Sequence, residues 1–284
     1  MALRSRSQST QEGVRELLDD PRFELLPFES FDEQLDYLPD GAQIAITSSP
    51  QKGIMETVER SEQVQREGYR AVPHIAARAV RDEDQLDEIA GRLEDAGVTD
   101  VFVPGGDNED PGAFESSYQL LVALAELGYE FEEVGITGYP EGHYFIDEET
   151  LWEHLEKKQP HATYITTQLC YNPDAIVDWI ETVRERGTDL PVEVGLPGVM
   201  KYQRLMSISR KVGVGDSIEF LRKTTGLASF IKTLIGSRGK YTPDKLVDGL
   251  APYVDDPEYG IRGVHIYTFN QSGDTEEWRQ ERLQ

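Results

Sequence analysis

The sequence predicts an α/β protein, a closed (β/α)8 TIM barrel folded as a single domain, and three observations carry that expectation. Short apolar runs rich in β-branched residues alternate with amphipathic helices, and eight such runs can be counted. Glycines at 68, 97, 128 and 187 end helices at intervals of about 30 residues, the length of one βα unit. Alternation implies a parallel sheet, and eight strands within about 250 residues close on themselves more readily than they lie open.

Residues 1–20 read as a polar N-terminal extension, with at most a short helix at 14–18 and no assigned chemistry; 21–284 form the barrel. Strands are expected at 23–27, 43–47, 71–76, 100–103, 133–138, 163–169, 192–196 and 263–269. The helices between them repeat apolar residues at i, i+3, i+4 and i+7, as in Leu86, Ile89, Ala90 and Leu93 or Ile176, Trp179, Ile180 and Val183. The stretch between strands seven and eight exceeds one unit, so extra helices are expected at 217–224, 229–235 and 243–253.

The formal net charge is −25, from 53 acidic and 28 basic residues, with carboxylates in nearly every segment. Such a surface repels phosphate backbones and argues against nucleic acid as a partner. It matches a cytoplasmic protein of a high-salt cell, where a Debye length of about 3 Å screens the repulsion. Cys170 is the only cysteine, which rules out an intrachain disulfide and a Cys-based zinc site. No apolar run reaches membrane-spanning length and no signal-peptide core precedes residue 21, so a soluble, cytoplasmic protein without membrane contact is expected.

In a barrel the site lies at the C-terminal strand ends. Those ends carry Glu24, Thr47, His74, Asp107, Tyr139 with Glu141 and His143, Gln168, Gly198, and Tyr267 with Asn270. The loop Val103-Pro104-Gly105-Gly106-Asp107 is the most distinctive, since glycine admits close backbone approach and a carboxylate follows at once. Taken alone, Asp107 suits a pocket or equally an Asx turn or helix cap. His74 and His143 suit ligand contacts or a hydrogen-bonded core, and Gln168 a site or a structural amide. No His or carboxylate spacing suggests a metal, and nucleophile elbow and Walker loop are absent.

Together these residues resemble the methylenetetrahydrofolate reductase family, flavoprotein (β/α)8 barrels that reduce methylenetetrahydrofolate to methyltetrahydrofolate. The matching pieces run from Phe23-Glu24-Leu25-Leu26-Pro27 through Pro73-His74, Gly106-Asp107, Tyr139-Pro140-Glu141-Gly142-His143, Thr167-Gln168-Leu169 and Pro197-Gly198-Val199-Met200. They end in His265-Ile266-Tyr267-Thr268-Phe269-Asn270.

The resemblance implies FAD as cofactor, with Thr47, His74, Gly106, Asp107, Tyr118, Tyr139, His143 and Lys157 near it. It implies Glu24 as the acid that protonates the folate nitrogen, Asp107 as a charge that stabilises a cationic iminium, and Gln168, Tyr202 and Tyr267 as folate contacts. NAD(P)H, ferredoxin or a partner subunit would supply electrons, by a ping-pong order, in one-carbon metabolism and methionine supply. Arg78, Lys157, Lys201 and Arg204 are the cations expected around the mouth. Phe28 replaces the family's second proline, Gly105 its Arg before Gly-Asp and Gln271 its Arg after the strand-eight Asn, while the loop after Pro197-Gly198 is short. The missing Arg and the short loop leave open a tetrahydrofolate-dependent demethylase; a non-catalytic flavin- or folate-binding subunit of a one-carbon complex is a further alternative, and a homo-oligomer also stays open.

Overall fold

A computed structural model describes residues 2–211 and 239–284. The helices expected at 217–224 and 229–235 lie outside the described residues. Eight parallel strands form one sheet: β1 (Arg22–Leu25), β2 (Gln43–Ile46), β3 (Arg70–Pro73), β4 (Asp100–Phe102), β5 (Glu133–Gly138), β6 (Tyr164–Thr167), β7 (Val192–Pro197) and β8 (Ile261–Tyr267). Their order is β3-β2-β1-β8-β7-β6-β5-β4. The two ends of that order meet where His74 bridges Phe102 in parallel register and the Ile75 amide donates to the Phe102 carbonyl at 2.8 Å. The sheet is thus a nearly closed (β/α)8 barrel.

Around it stand α1 (Ala2–Asp19), α2 (Phe31–Leu35), α3 (Ile54–Arg66), α4 (Glu83–Asp95), α5 (Ser117–Glu126), α6 (Glu148–Lys158), α7 (Pro173–Glu185), α8 (Tyr202–Lys211), α9 (Asp244–Leu250) and α10 (Ser272–Leu283). Local chemistry sets their ends. Asp82 accepts from the Gln85 amide to start α4, and Asp147 from the Thr150 amide to start α6, each at 2.9 Å. Gly68, Gly97, Gly128 and Gly187 all have φ between 78° and 91°, the left-handed turn that sends the chain back toward the next strand.

Several strands are shorter than expected. The chain leaves β1 at Leu25, two residues early, because the Phe28 amide turns back to the Leu26 carbonyl. Helix α1 is longer than the turn expected at 14–18. Its buried Val14, Leu17 and Leu18 lie on one face, and α1 packs against α9, α10 and β8. The expected helix at 243–253 is α9 with the 3-10 turn Ala251–Tyr253. Among the described residues no helix is long and apolar enough to cross a membrane.

Outward strand residues such as Phe23, Leu25, Ile44, Ile46, Val194 and Leu196 are buried under the helices, joined by the stripes on α4 and α7. Each large side chain so buried contributes about 1.5–3 kcal/mol. Inward residues are more polar than a barrel core needs. At the N-terminal floor, Arg22 meets Asp100 at 2.6 Å, Glu193 at 3.0 Å and the Tyr164 hydroxyl at 2.5 Å. Arg262 joins Glu193 at 2.8 Å and Glu133 at 2.6 Å. Ala45, Val72, Phe102 and Tyr164 form the apolar part of the interior.

Candidate active site at the strand tips

Strand β1 places Glu24 inside the barrel, opposite Tyr267 in register and only 6% exposed. His265 Nε2 lies 3.2 Å from Glu24 Oε2. The His74 and Tyr267 rings stand 5.8 and 4.8 Å from the His265 ring. One donor-type atom each from Glu24, His74 and His265 falls within 4.8 Å of the others. No sequence spacing announces this group; three separate strands deliver it.

Burial dominates the electrostatics. It pushes the Glu24 carboxyl up to about 7, against a lowering pull from His74. Burial also holds both His74 and His265 down to about 3, with the Arg22 guanidinium below adding to the effect. Near neutral pH the centre therefore holds two uncharged imidazoles beside a carboxyl poised between its two forms.

The turn after β8 fixes this carboxyl in space. Thr268 Oγ1 donates to the Glu24 carbonyl at 2.5 Å. The Asn270 amide takes the Leu26 N–H at 2.8 Å and gives to the Leu26 carbonyl at 3.1 Å. Phe269 and Asn270 have φ of 50° and 55°; Asn tolerates that region, whereas Phe sits there under strain.

A second group gathers at the β5 tip. The Tyr139 and His143 rings are 5.3 Å apart, edge to face. Burial raises the Tyr139 phenol and Asp107 adds to it; burial lowers His143 while Asp107 opposes. Asp107 is exposed on its loop, and Gly106, with φ of 90°, brings that loop so near β3's exit that a Cβ would meet Ala76 Cβ at 3.0 Å. Tyr267 links the groups: its hydroxyl donates to the Thr167 carbonyl at 2.9 Å, and after burial both Glu24 and Tyr139 raise it.

The other expected residues sit as follows. The side-chain oxygen of half-buried Gln168 accepts from the Leu169 backbone N–H at 2.7 Å, and the Gln168 backbone N–H donates to the Gly138 carbonyl at 2.8 Å. Tyr202 is buried in a satellite cluster with Leu169, Tyr171 and Tyr241, against which Tyr267 packs. Tyr118 packs on His161 of the turn after α6, ring centres 5.9 Å apart. Lys157 is exposed and paired with Glu153 at 3.4 Å. Arg78 gives its N–H groups to the carbonyls of Asn108, Glu109 and Glu115, so it braces the loop after β4.

Sequence reasoning missed Lys158 and the role of His265. Trp152, Leu155 and Lys158 share the buried face of α6, and that i, i+3 phase was the available signal. Lys158 Nζ reaches Thr137 Oγ1 at 3.1 Å, and burial lowers its amine to about 8.

A cavity of about 360 Å³ opens beside the β5 tip, lined by Thr137, Tyr139, His143, Trp152, Leu155 and Trp179 among others. A wider groove of about 630 Å³ runs past Glu148, Glu149, Glu153 and Glu156, with Arg186 over Trp152. Its carboxylates repel anionic ligands; the smaller cavity is lined by two, Glu141 and Glu148, and adjoins Tyr139 and His143 of the strand-tip group. Among the described residues, the buried polar atoms at this end without a hydrogen-bond partner include Thr47 Oγ1, His74 Nε2 and His143 Nδ1. Each belongs to a residue that the resemblance puts beside FAD, and a buried polar atom wants a partner. The donor set fits a flavin in that respect.

Fold and site together define a (β/α)8 barrel protein with a proton-holding carboxyl at the strand tips. A model of the family described as "Methylenetetrahydrofolate reductase" matches residues 29–280. The chain belongs to the methylenetetrahydrofolate reductase family. Since the match begins after Glu24, that residue's alignment rests on its own motif and on the geometry.

Methylenetetrahydrofolate reductase 1 of Schizosaccharomyces pombe is 27% identical over 215 residues, 66% of this chain and 31% of the relative. Methylenetetrahydrofolate reductase 2 of Saccharomyces cerevisiae is 26% identical over 109 residues, 37% of this chain and 18% of the relative. The chain thus spans under a third of the length of these relatives. Among solved structures, a candidate phosphonomutase from Burkholderia cenocepacia J2315 covers 93% of this chain and 91% of its own, at 9% identity and a TM-score of 0.48. At that score the likeness says nothing of this chain's chemistry.

Proposed function

We propose that the chain reduces 5,10-methylenetetrahydrofolate to 5-methyltetrahydrofolate at the strand tips, with NAD(P)H or ferredoxin as the source of electrons. The observation that carries this reading is the buried Glu24, a carboxyl still partly protonated near neutral pH at the position matching the family's acid. FAD, when bound, supplies hydride transfer. The protein's part is to hold, orient and protonate.

Thr47, His74 and His143 offer the partnerless polar atoms that would meet the flavin. Lys158, rather than exposed Lys157, is the buried cation on that side. Glu24 gives its proton to the folate nitrogen as the ring opens, and a carboxyl near 7 is still partly protonated, and so able to do this, at neutral pH. Asp107, on the loop that Gly106 brings against Ala76, supplies negative charge at the mouth where a cation would develop. Tyr267, fixed through Thr167, and Gln168 frame the pterin. One face serving donor and folate in turn gives ping-pong kinetics.

The test is Glu24→Gln, purified at high salt. It should stay yellow and be reduced by its electron donor, yet lose folate turnover by at least about 100-fold. Turnover within threefold of the parent would remove Glu24 from the chemistry.

A further inference from the structure

We infer that His265 is a positioning residue: it donates its ring proton from Nε2 to Glu24 Oε2, so that any proton the carboxyl carries resides on Oε1. The contact is 3.2 Å between two side chains that are both buried, His265 at 1% and Glu24 at 6% exposure.

The tautomer follows from what surrounds the ring. His265 Nδ1 is buried and has no partner. An orphaned buried N–H is rarer and more costly than an orphaned acceptor, so the single ring proton belongs on Nε2, where Oε2 accepts it. Ionisation of the imidazole is opposed by burial and by Arg22 and favoured by Glu193; burial prevails, so the ring stays neutral near pH 7 and does not take the carboxyl's proton.

The titratable and charged groups that surround Glu24 come from four strands, and of these His74 is the one that pulls its carboxyl down against burial. Arg22 lies one layer below on β1, His74 stands at the tip of β3, Glu193 on β7, and His265 and Tyr267 on β8. With Oε2 occupied, only Oε1 is left to present a proton to a ligand. A donor to the ionised form lowers a carboxyl's pKa, so His265 also offsets part of what burial raises.

A divalent cation on the same three side chains is the competing occupant, since their donor atoms converge. The observations favour the hydrogen bond. Arg22 already acts on both imidazoles as a repelling positive charge, and a bound dication would add two more in the same low-dielectric interior.

Only the delivery of that proton to folate rests on the function proposed above; the arrangement of the three side chains does not. The experiment is accordingly spectroscopic and needs no turnover. Infrared difference spectra of the purified protein at high salt, recorded across pH, follow the carbonyl band of protonated Glu24, assigned by its absence in Glu24→Gln. In the parent the band should titrate near 7.

In His265→Leu the midpoint should move up by about one pH unit, the usual worth of a hydrogen bond to a charged group. His265→Gln keeps an N–H of similar reach and should bring the midpoint back and shift the carbonyl frequency toward the parent's. Should the leucine variant misfold, the glutamine variant against the parent, with His265→Asn whose shorter amide loses the reach, gives the same comparison. A midpoint unmoved in whichever of the leucine and asparagine variants retains the parent's circular dichroism would overturn the assignment, as would one bound metal ion per chain by elemental analysis.

Discussion

Replacing Arg22 by Met probes the barrel's floor. The guanidinium is 1% exposed and contacts Asp100, Glu193, the Tyr164 hydroxyl and Gln43, the last at 3.2 Å. Methionine fills much of the volume and supplies no charge. Glu193 keeps Arg262 at 2.8 Å, while Asp100 keeps only the Tyr164 hydroxyl at 2.8 Å. Breaking a buried pair by removing one partner costs about 3–5 kcal/mol. Burial already pushes Asp100 upward against the pull of Arg22, so without the arginine it takes up a proton, and the loss falls near about 3 kcal/mol.

Urea unfolding followed by tryptophan fluorescence in molar KCl measures it. The double variant Arg22→Met, Asp100→Asn removes the carboxyl that would otherwise have to take up a proton and should recover at least about 1 kcal/mol. A single variant within about 0.5 kcal/mol of the parent would refute the claim that this network holds the floor.

Stability should also follow pH in a shape set by the interior triad. Glu24 rises from 4.5 to about 7 on folding, so the unfolded chain sheds a proton the fold keeps, and stability falls between those values as pH rises. His74 and His265 fall from 6.5 to about 3, so stability rises across that window. Two protons against one leave a net rise of about 1.4 kcal/mol per pH unit between 4.5 and 6.5 from these groups; Glu24→Gln should steepen it, and an unchanged slope would contradict the assignment. Gly195→Ala drives a Cβ into the Thr167 carbonyl oxygen and to 2.7 Å from the Tyr267 ring, and should cost about 1–3 kcal/mol in urea melts. With a net charge of −25, the melting temperature should drop on dialysis from molar to 0.1 M KCl; a constant value would argue against a high-salt adaptation.

Much of the barrel was legible because its signals are local. The stripe Leu86, Ile89, Ala90, Leu93 and the φ-positive glycines at helix ends depend on neighbours within a few residues, and the structure keeps both. Strand ends were read less well, since β1 stops at Leu25 through a turn that apolar patterning does not encode. Lysines 157 and 158 show the limit at single-residue scale. Both are cations at the end of α6, and only the helix phase sends 158 inward to Thr137 and 157 outward to Glu153.

The sequence by itself determined the strand-helix alternation, the acidic surface, and which polar residues would stand at strand ends, because hydrophobic period and glycine placement act over short distances. Only the tertiary structure decided that residues 24, 74 and 265 share one buried space beneath which Arg22 lies. That meeting depends on barrel closure and strand stagger, and the altered proton affinities arise from a low-dielectric interior that no stretch of chain possesses alone.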